Sequence, residues 1–204
     1  MKKTAKKIAD AARALFNKKG YSNVTVRMIA ESLEMSAGNL NYHFKKREDI
    51  LEAIYFEMVA VFDERVNTLG SQKITLNTIQ NDIHTSIKRM VAYRFFWTDL
   101  YNILRSNDKI NTHFAQAYEN RKKGFLWLFD YLTEEGSIQA IPRNESELLS
   151  ENMIGFGNTC LYNSFLYQDE IKQTDINSLT EKMLFLLHPY LTAKGKKAYE
   201  ALSF

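Results

Sequence analysis

Thr25-Val26-Arg27-Met28-Ile29-Ala30-Glu31-Ser32-Leu33-Glu34-Met35-Ser36-Ala37-Gly38-Asn39-Leu40-Asn41-Tyr42-His43-Phe44 is the stretch that decides the fold. Thr25 can cap a short helix through its hydroxyl, and Ser36 can cap a second, from Ala37 to about His43. Glu34-Met35-Ser36 is left as a three-residue turn, which fits a helix-turn-helix. Ile29, Ala30, Leu33, Met35 and Leu40 form a small apolar seam between the two helices. A large side chain in place of Ala30 would push them apart. Asn39, Asn41, Tyr42 and His43 are then left facing outward. A helix fits the major groove of double-stranded DNA, which is ~12 Å wide.

The same periodicity extends in both directions. Ala5, Ile8, Ala9, Ala12, Leu15 and Phe16 recur at three- and four-residue steps, one face of a first helix. Gly20 sits where a glycine cap belongs, and Tyr21-Ser22-Asn23 reads as a turn. Glu48 and Asp49 favour the start of a fourth helix. Its stripe runs through Leu51, Ile54, Met58, Val61, Phe62 and Leu69, and Gly70-Ser71 ends it. Beyond lie expected helices over 76–91, 95–104, 108–135, 145–167 and 176–188. Residues 138–143 are expected to link, and a short basic tail with Lys194, Lys196 and Lys197 to follow. No convincing strand is found. The predicted fold class is all-α: a three-helix DNA-binding domain over 1–50, its fourth helix continuing to about 69 as a connector, then a larger helical domain over 51–204.

Composition agrees. Two prolines and eight glycines in 204 residues leave few breaks. Hydrophobic residues are 45% and charged residues 25%, ordinary for a globular protein. The single cysteine, Cys160, cannot form an internal disulfide and fits a reducing cytoplasm. No run reaches the ~18 apolar residues of a membrane span. The N-terminus lacks the apolar stretch of an export signal, so the expected location is cytoplasmic. Charge is unevenly spread. Residues 1–47 carry eleven Lys/Arg against three acids, and the remainder sixteen against twenty-one. A basic head on an acidic body suits a polyanion partner for the head alone. It suits a solvated lysine-rich terminus equally well.

The run from Thr25 to Ala30, with Ser36 to Phe44 and Arg47-Glu48-Asp49-Ile50-Leu51, resembles the DNA-binding domain of the tetracycline-repressor (TetR) family. Ala12, Leu15, Phe16, Gly20 and Tyr21 match that family's first helix. The resemblance implies a homodimeric repressor with a variable C-terminal domain that binds a small molecule. It also implies DNA contacts residue by residue: Thr25 and Arg27 at the second helix, Ala37, Gly38 and Asn39 at the tip of the recognition helix. Asn41, Tyr42, His43, Lys46 and Arg47 follow. Arg47 replaces the usual lysine and can grip a phosphate with two parallel hydrogen bonds. Three positions depart from the family. Asn41 replaces a common tyrosine. Glu34 replaces the turn glycine, at a cost of about 1 kcal/mol if left-handed. Met28 replaces a capping acid, so Thr25 caps alone.

The body has eleven aromatics between Tyr93 and Tyr131. They read either as core or as an apolar pocket with a few polar tips, the usual form of a small-molecule site. Phe96, Trp97, Tyr101, Phe114, Tyr118, Phe125, Tyr162 and Phe165 are the candidates for an apolar or aromatic effector. Met153, Gly157, Cys160 and Ser164 form a stripe of mostly small residues. With Leu179, Met183, Leu186 and Leu187 they are candidates for a homodimer interface, or for a monomer core. Catalysis finds little support. His43, His84, His113 and His188 lack metal-ligand spacing to one another or to Cys160, and no phosphate loop or nucleophile elbow is present. No metal, cofactor or membrane partner is expected. The expected function is a repressor that binds an inverted-repeat operator and is released by its effector. The alternative is a helical protein that binds an apolar ligand without acting at an operator.

Overall fold

The computed structural model describes residues 3–70 and 73–204, and the side chains of these except 64–70. The reading of Leu69 and Ser71 lies outside the described side chains. Among the described residues eleven α-helices follow in order: α1 Lys3–Lys19, α2 Val26–Ser32, α3 Ala37–His43, α4 Arg47–Gly70, α5 Leu76–Ala92, α6 Arg94–Thr98, α7 Leu100–Ser106, α8 Asp108–Glu134, α9 Arg143–Phe165, α10 Gln173–Phe185 and α11 Ala193–Glu200. Tyr21–Asn23 and His188–Tyr190 form 3-10 turns, and the one β-bridge among the described residues joins Ile138 to Leu191. Among the described residues no helix is long and apolar enough to cross a membrane.

The chain divides into two compact units. The first takes the chain up to Glu64 together with Ala92–Asn111; the second takes Arg65–Val91 with Thr112–Phe204. This differs from a cut at residue 50, because the first part of α4 and the α6–α7 segment share a core with α1. In the first unit Ile8, Ala9, Ala12 and Phe16 of α1 are buried, with Ile29, Ala30, Leu40, Ile50 and Leu51. The Phe16 ring meets Tyr21 edge-on at 5.1 Å and Phe95 at 5.2 Å. Asn17 ties the end of α1 to the start of α6: its amide donates to the Ala92 carbonyl (2.9 Å) and accepts from the Phe95 N–H (3.1 Å). A single helix over 95–104 does not form. Asp99 leaves helical geometry at φ −122°, ψ 24°, separating α6 from α7.

The second unit has its core in Ile74, Leu76 and Ile79 of the α5 region, Leu126, Leu128, Phe129 and Leu132 of α8, Leu149 and Met153 of α9, and Leu184 and Leu187. Gly136 ends α8 at φ 73°, a conformation in which glycine has no Cβ to clash. The expected basic tail is instead α11. Thr192 accepts from the Gly195 N–H (3.1 Å) to cap it, and donates to the Gly136 carbonyl (2.7 Å). A Cβ on Gly195 would lie 2.0 Å from the Ser137 carbonyl oxygen, so only glycine lets α11 settle there. Helix α10 begins three residues earlier than its apolar pattern, because the Asp175 carboxylate accepts the Lys172 N–H at 2.7 Å.

Candidate nucleic-acid interface

The two short helices and their turn are locked by a few specific bonds. Thr25 Oγ1 accepts the Met28 N–H at 3.2 Å, and Ser36 Oγ accepts the Asn39 N–H at 3.2 Å. These satisfy donors that the first turn of a helix leaves without partners. Leu33 and Met35 both donate to the Ala30 carbonyl at 3.1 Å, closing the end of α2. Glu34 sits at φ 53°, the left-handed conformation its place in the turn demands. It carries the cost of about 1 kcal/mol that a glycine would avoid.

Ile29 and Leu40 are fully buried and Ala30 nearly so. With that seam turned inward, the other side of the pair is open. Thr25, Arg27, Ala37, Gly38, Asn39, Asn41, Tyr42 and Lys46 are exposed, and His43 is half-buried. Tyr42 is 76% exposed, and its ring meets the His43 ring edge-on at 5.2 Å. Arg27 is held outward by Glu31: Nε donates to Oε1 at 2.7 Å, one helical turn away on α2. The sequence reading did not find this buttress, although Arg27 and Glu31 stand at the i,i+4 spacing that signals it.

Arg47 has partners within its own unit. Its guanidinium is turned back over the Tyr21 ring, 4.2 Å from the centroid, and Nη1 donates to the carbonyls of Tyr21 (3.2 Å), Ser22 (3.4 Å) and Val24 (3.0 Å). The physical reason is the turn before α2, whose three carbonyls point toward the start of α4. A planar fork with several donors serves such a cluster well. Arg47 thus clasps the fold that carries α2 and α3. Beside it, Asp49 accepts the Lys46 N–H at 3.1 Å and caps α4.

The candidate effector residues are divided between the two units. Phe96 and Trp97 are buried in the first unit, where Phe96 packs on Tyr55 at 5.3 Å and on Trp97 at 5.2 Å. They are core, as a five-residue helix wedged among larger elements must be. Tyr101, in the same unit, is exposed. Phe114, Tyr118, Phe125, Tyr162 and Phe165 belong to the second unit, with Phe125 stacked on Phe129 at 6.2 Å. Two polar concavities occur there, one lined by Gln168, Asp169, Glu170, Lys172, Thr174 and Asp175, the other by Gln80, Asn81, His84, Asn177, Thr180, Ser203 and Phe204. Neither includes a candidate aromatic.

The expected dimer stripe faces inward. Met153, Gly157, Cys160, Leu179 and Leu187 are buried within the chain, and Ser164, Met183 and Leu186 are partly so. A Cβ on Gly157 would come within 3.1 Å of Arg121 Nη2 and 3.4 Å of Met183 Cε. Small residues let helices of the same chain approach here. The open side of α9 is instead Leu148, Asn152, Gly155, Thr159, Tyr162 and Leu166, all exposed and spaced by four, three, four, three and four. Phe185 of α10 is exposed as well. Burial pushes the Cys160 thiol up to about 11, far from a reactive thiolate. No group of three or more metal-ligating side chains able to hold an ion occurs among the described residues.

Two family models match the chain. One, described as bacterial regulatory proteins of the tetR family, covers residues 8–54; the other, TetR, described as a bacterial transcriptional repressor, covers residues 57–199. A probable HTH-type transcriptional regulator of Bacillus subtilis, YttP, is 25% identical over 67% of this chain and 66% of its own length. This chain thus spans just under two thirds of that relative. A TetR-family transcriptional regulator from Marinobacter aquaeolei is 27% identical, with 97% of this chain and 96% of that one aligned at a TM-score of 0.87. A transcriptional regulator from Saccharomonospora viridis, solved in complex with choline, has the same fold. It aligns over 94% of this chain and 100% of that one at a TM-score of 0.73 and 16% identity.

Proposed function

The chain belongs to the TetR family of bacterial transcriptional regulators, and from that premise we propose that it is a repressor. It binds an inverted-repeat operator as a homodimer and leaves it when a small apolar or aromatic molecule binds the second unit. The observation that carries the proposal is the open face of α2 and α3. Thr25, Arg27, Ala37, Gly38, Asn39, Asn41, Tyr42 and Lys46 are all exposed around one small buried seam. His43 flanks them. In a helix-turn-helix such a face enters the major groove, and side chains of the second helix reach base edges. The surplus of bases over acids lies in residues 1–47, the segment that carries α2 and α3, and draws phosphate toward it.

A homodimer is supported by the open stripe of α9 with Phe185 of α10. Gly155 leaves space for a close approach, and Leu148, Tyr162 and Leu166 offer apolar area that a second copy would bury. Two copies of α3 would then enter major grooves one helical turn apart, ~34–36 Å, or a multiple of it. For the effector, the half-buried Phe114, Tyr118, Phe125 and Phe165 remain the aromatic candidates, while Phe96 and Trp97 drop out as core. Helix α4 runs unbroken from Arg47 to Gly70 and contributes residues to both units. That continuity is the route by which an effector would change how α3 is presented. The effector can shift the equilibrium only by its difference in affinity for the two forms.

Selection from a random duplex pool at moderate salt tests the proposal. The expected product is an inverted repeat whose affinity falls steeply as salt rises. Recovery of no common sequence, or of an asymmetric one bound by a monomer, would refute it.

A further inference from the structure

We infer that the half-site read by α3 consists of adenine–thymine pairs: the amides of Asn39 and Asn41 read adenine, Ala37 and Tyr42 contact thymine methyls, and this helix offers no best-matched partner to guanine. The inference rests on the reading of α3 as the recognition helix and adds the chemistry of the base pairs beneath it.

The seven residues of α3, Ala37–His43, include no lysine, arginine, aspartate or glutamate. In the major groove guanine presents two adjacent acceptors, N7 and O6, best met by the paired donors of arginine or by lysine. Cytosine presents a donor best met by a carboxylate. Helix α3 has neither of these best-matched partners for a G·C pair, and the His43 ring, which can donate to guanine, is half-buried in its last turn. Adenine presents an acceptor, N7, beside a donor, the N6 amine, and a carboxamide answers both at once. Asn39 and Asn41 are carboxamides on exposed positions. Asn39 meets Ser36 only through its backbone N–H, so capping does not consume the side-chain amide.

The remaining exposed groups suit the other base. Thymine alone carries a methyl group in the major groove, and apolar side chains meet it. Ala37 offers a methyl. Tyr42 offers a ring that is 76% exposed and touches His43 only by an edge. Gly38 has no side chain to hold the helix off the duplex. Cations lie beside α3 and not on it: Arg27 on α2, its Nε engaged by Glu31, and Lys45 and Lys46 after the helix. They suit phosphate oxygens, which fix position and carry no sequence information.

The test uses the full chain and the operator recovered by selection, with single base analogues in one half-site. Replacing thymine by uracil removes only the methyl, and replacing adenine by 7-deazaadenine removes only N7. Each is expected to weaken wild-type binding by about threefold to tenfold at the contacted position. Tyr42→Ala, at a site exposed enough to spare the fold, should abolish the sensitivity to uracil at one position. Asn39→Ala should reduce discrimination between A·T and G·C at one pair by about tenfold, the scale of one good amide–adenine pairing. An inverted repeat with a G·C core overturns the inference and leaves the operator reading intact. So does an A·T core whose affinity ignores both analogues, which would be read through its shape. Recovery of no repeat at all refutes the operator reading itself.

Discussion

Helices α3 and α9 carry the two surfaces that the proposed dimeric repressor would use, and they declare their outer faces in opposite ways. Leu40 is the one buried residue of α3, and polar or small residues fill most of the other positions. Its inner side is unambiguous, so its outer side is too. Helix α9 buries Leu149, Met153, Ile154, Gly157, Cys160 and Leu161, and also exposes Leu148, Gly155 and Tyr162, with Leu166 exposed at its C-terminal cap. Apolar and small residues lie on both of its sides. A small-residue stripe then says that something approaches closely, and not whether it comes from the same chain or another.

The largest expected effect lies on the open side of α9. Tyr162→Asp combined with Leu166→Asp should give monomers in sedimentation and lower operator affinity by about a hundredfold or more, because the two half-sites are no longer bound as one. Gly157→Val should act differently. It forces a branched side chain against Arg121 and Met183 and should lower stability by about 1–3 kcal/mol without favouring monomers first. A Gly157 variant that melts normally as a monomer, with the aspartate pair still dimeric, would reverse the comparison between the two sides of the helix.

Arg47 and Arg27 sharpen it within the first unit. Arg47→Ala removes charge-assisted bonds to three carbonyls and should cost about 1.5–3 kcal/mol of stability, visible as a lower Tm, with Arg47→Lys recovering part of it. Arg27→Ala should leave Tm unchanged. It should weaken binding to all duplexes alike and reduce the salt slope by about one. Equal Tm for wild type and Arg47→Ala would remove the clasp from the account.

The smallest effect concerns Glu52. The Lys109 ammonium at 2.8 Å, helped by the Asn107 amide at 3.1 Å, outweighs burial and holds this carboxylate below its usual range. A depressed folded pKa contributes stability above the unfolded value, and that stability is lost as pH falls through the folded one. Lys109 is largely exposed, so the contribution is a few tenths of a kcal/mol. Acid titration of Glu52→Gln should show a correspondingly shallower loss of stability than wild type.

What the sequence made legible follows from local chemistry. The caps at Thr25 and Ser36 and the strained Glu34 turn each depend on one or two residues and their neighbours. The structure holds them where the residue types require. What stayed hidden depends on partners distant in sequence. Arg47 finds its carbonyls more than twenty positions away. Asn17 reaches Ala92 and Phe95, drawing α6 and α7 into the first unit. Phe96 and Trp97 have the composition of a pocket and the surroundings of a core. Helix α11 was concealed because its cap, Thr192, and its glycine make sense only against the turn at Gly136–Ser137.

Hydroxyl-radical footprinting of the selected operator tests most directly whether the face from Thr25 to Lys46 docks on DNA as a symmetric pair. Two equivalent protected patches are expected, centred about one helical turn apart or a multiple of it, both lost with Tyr162→Asp and Leu166→Asp. A single patch, or two that survive in the monomer, would contradict it.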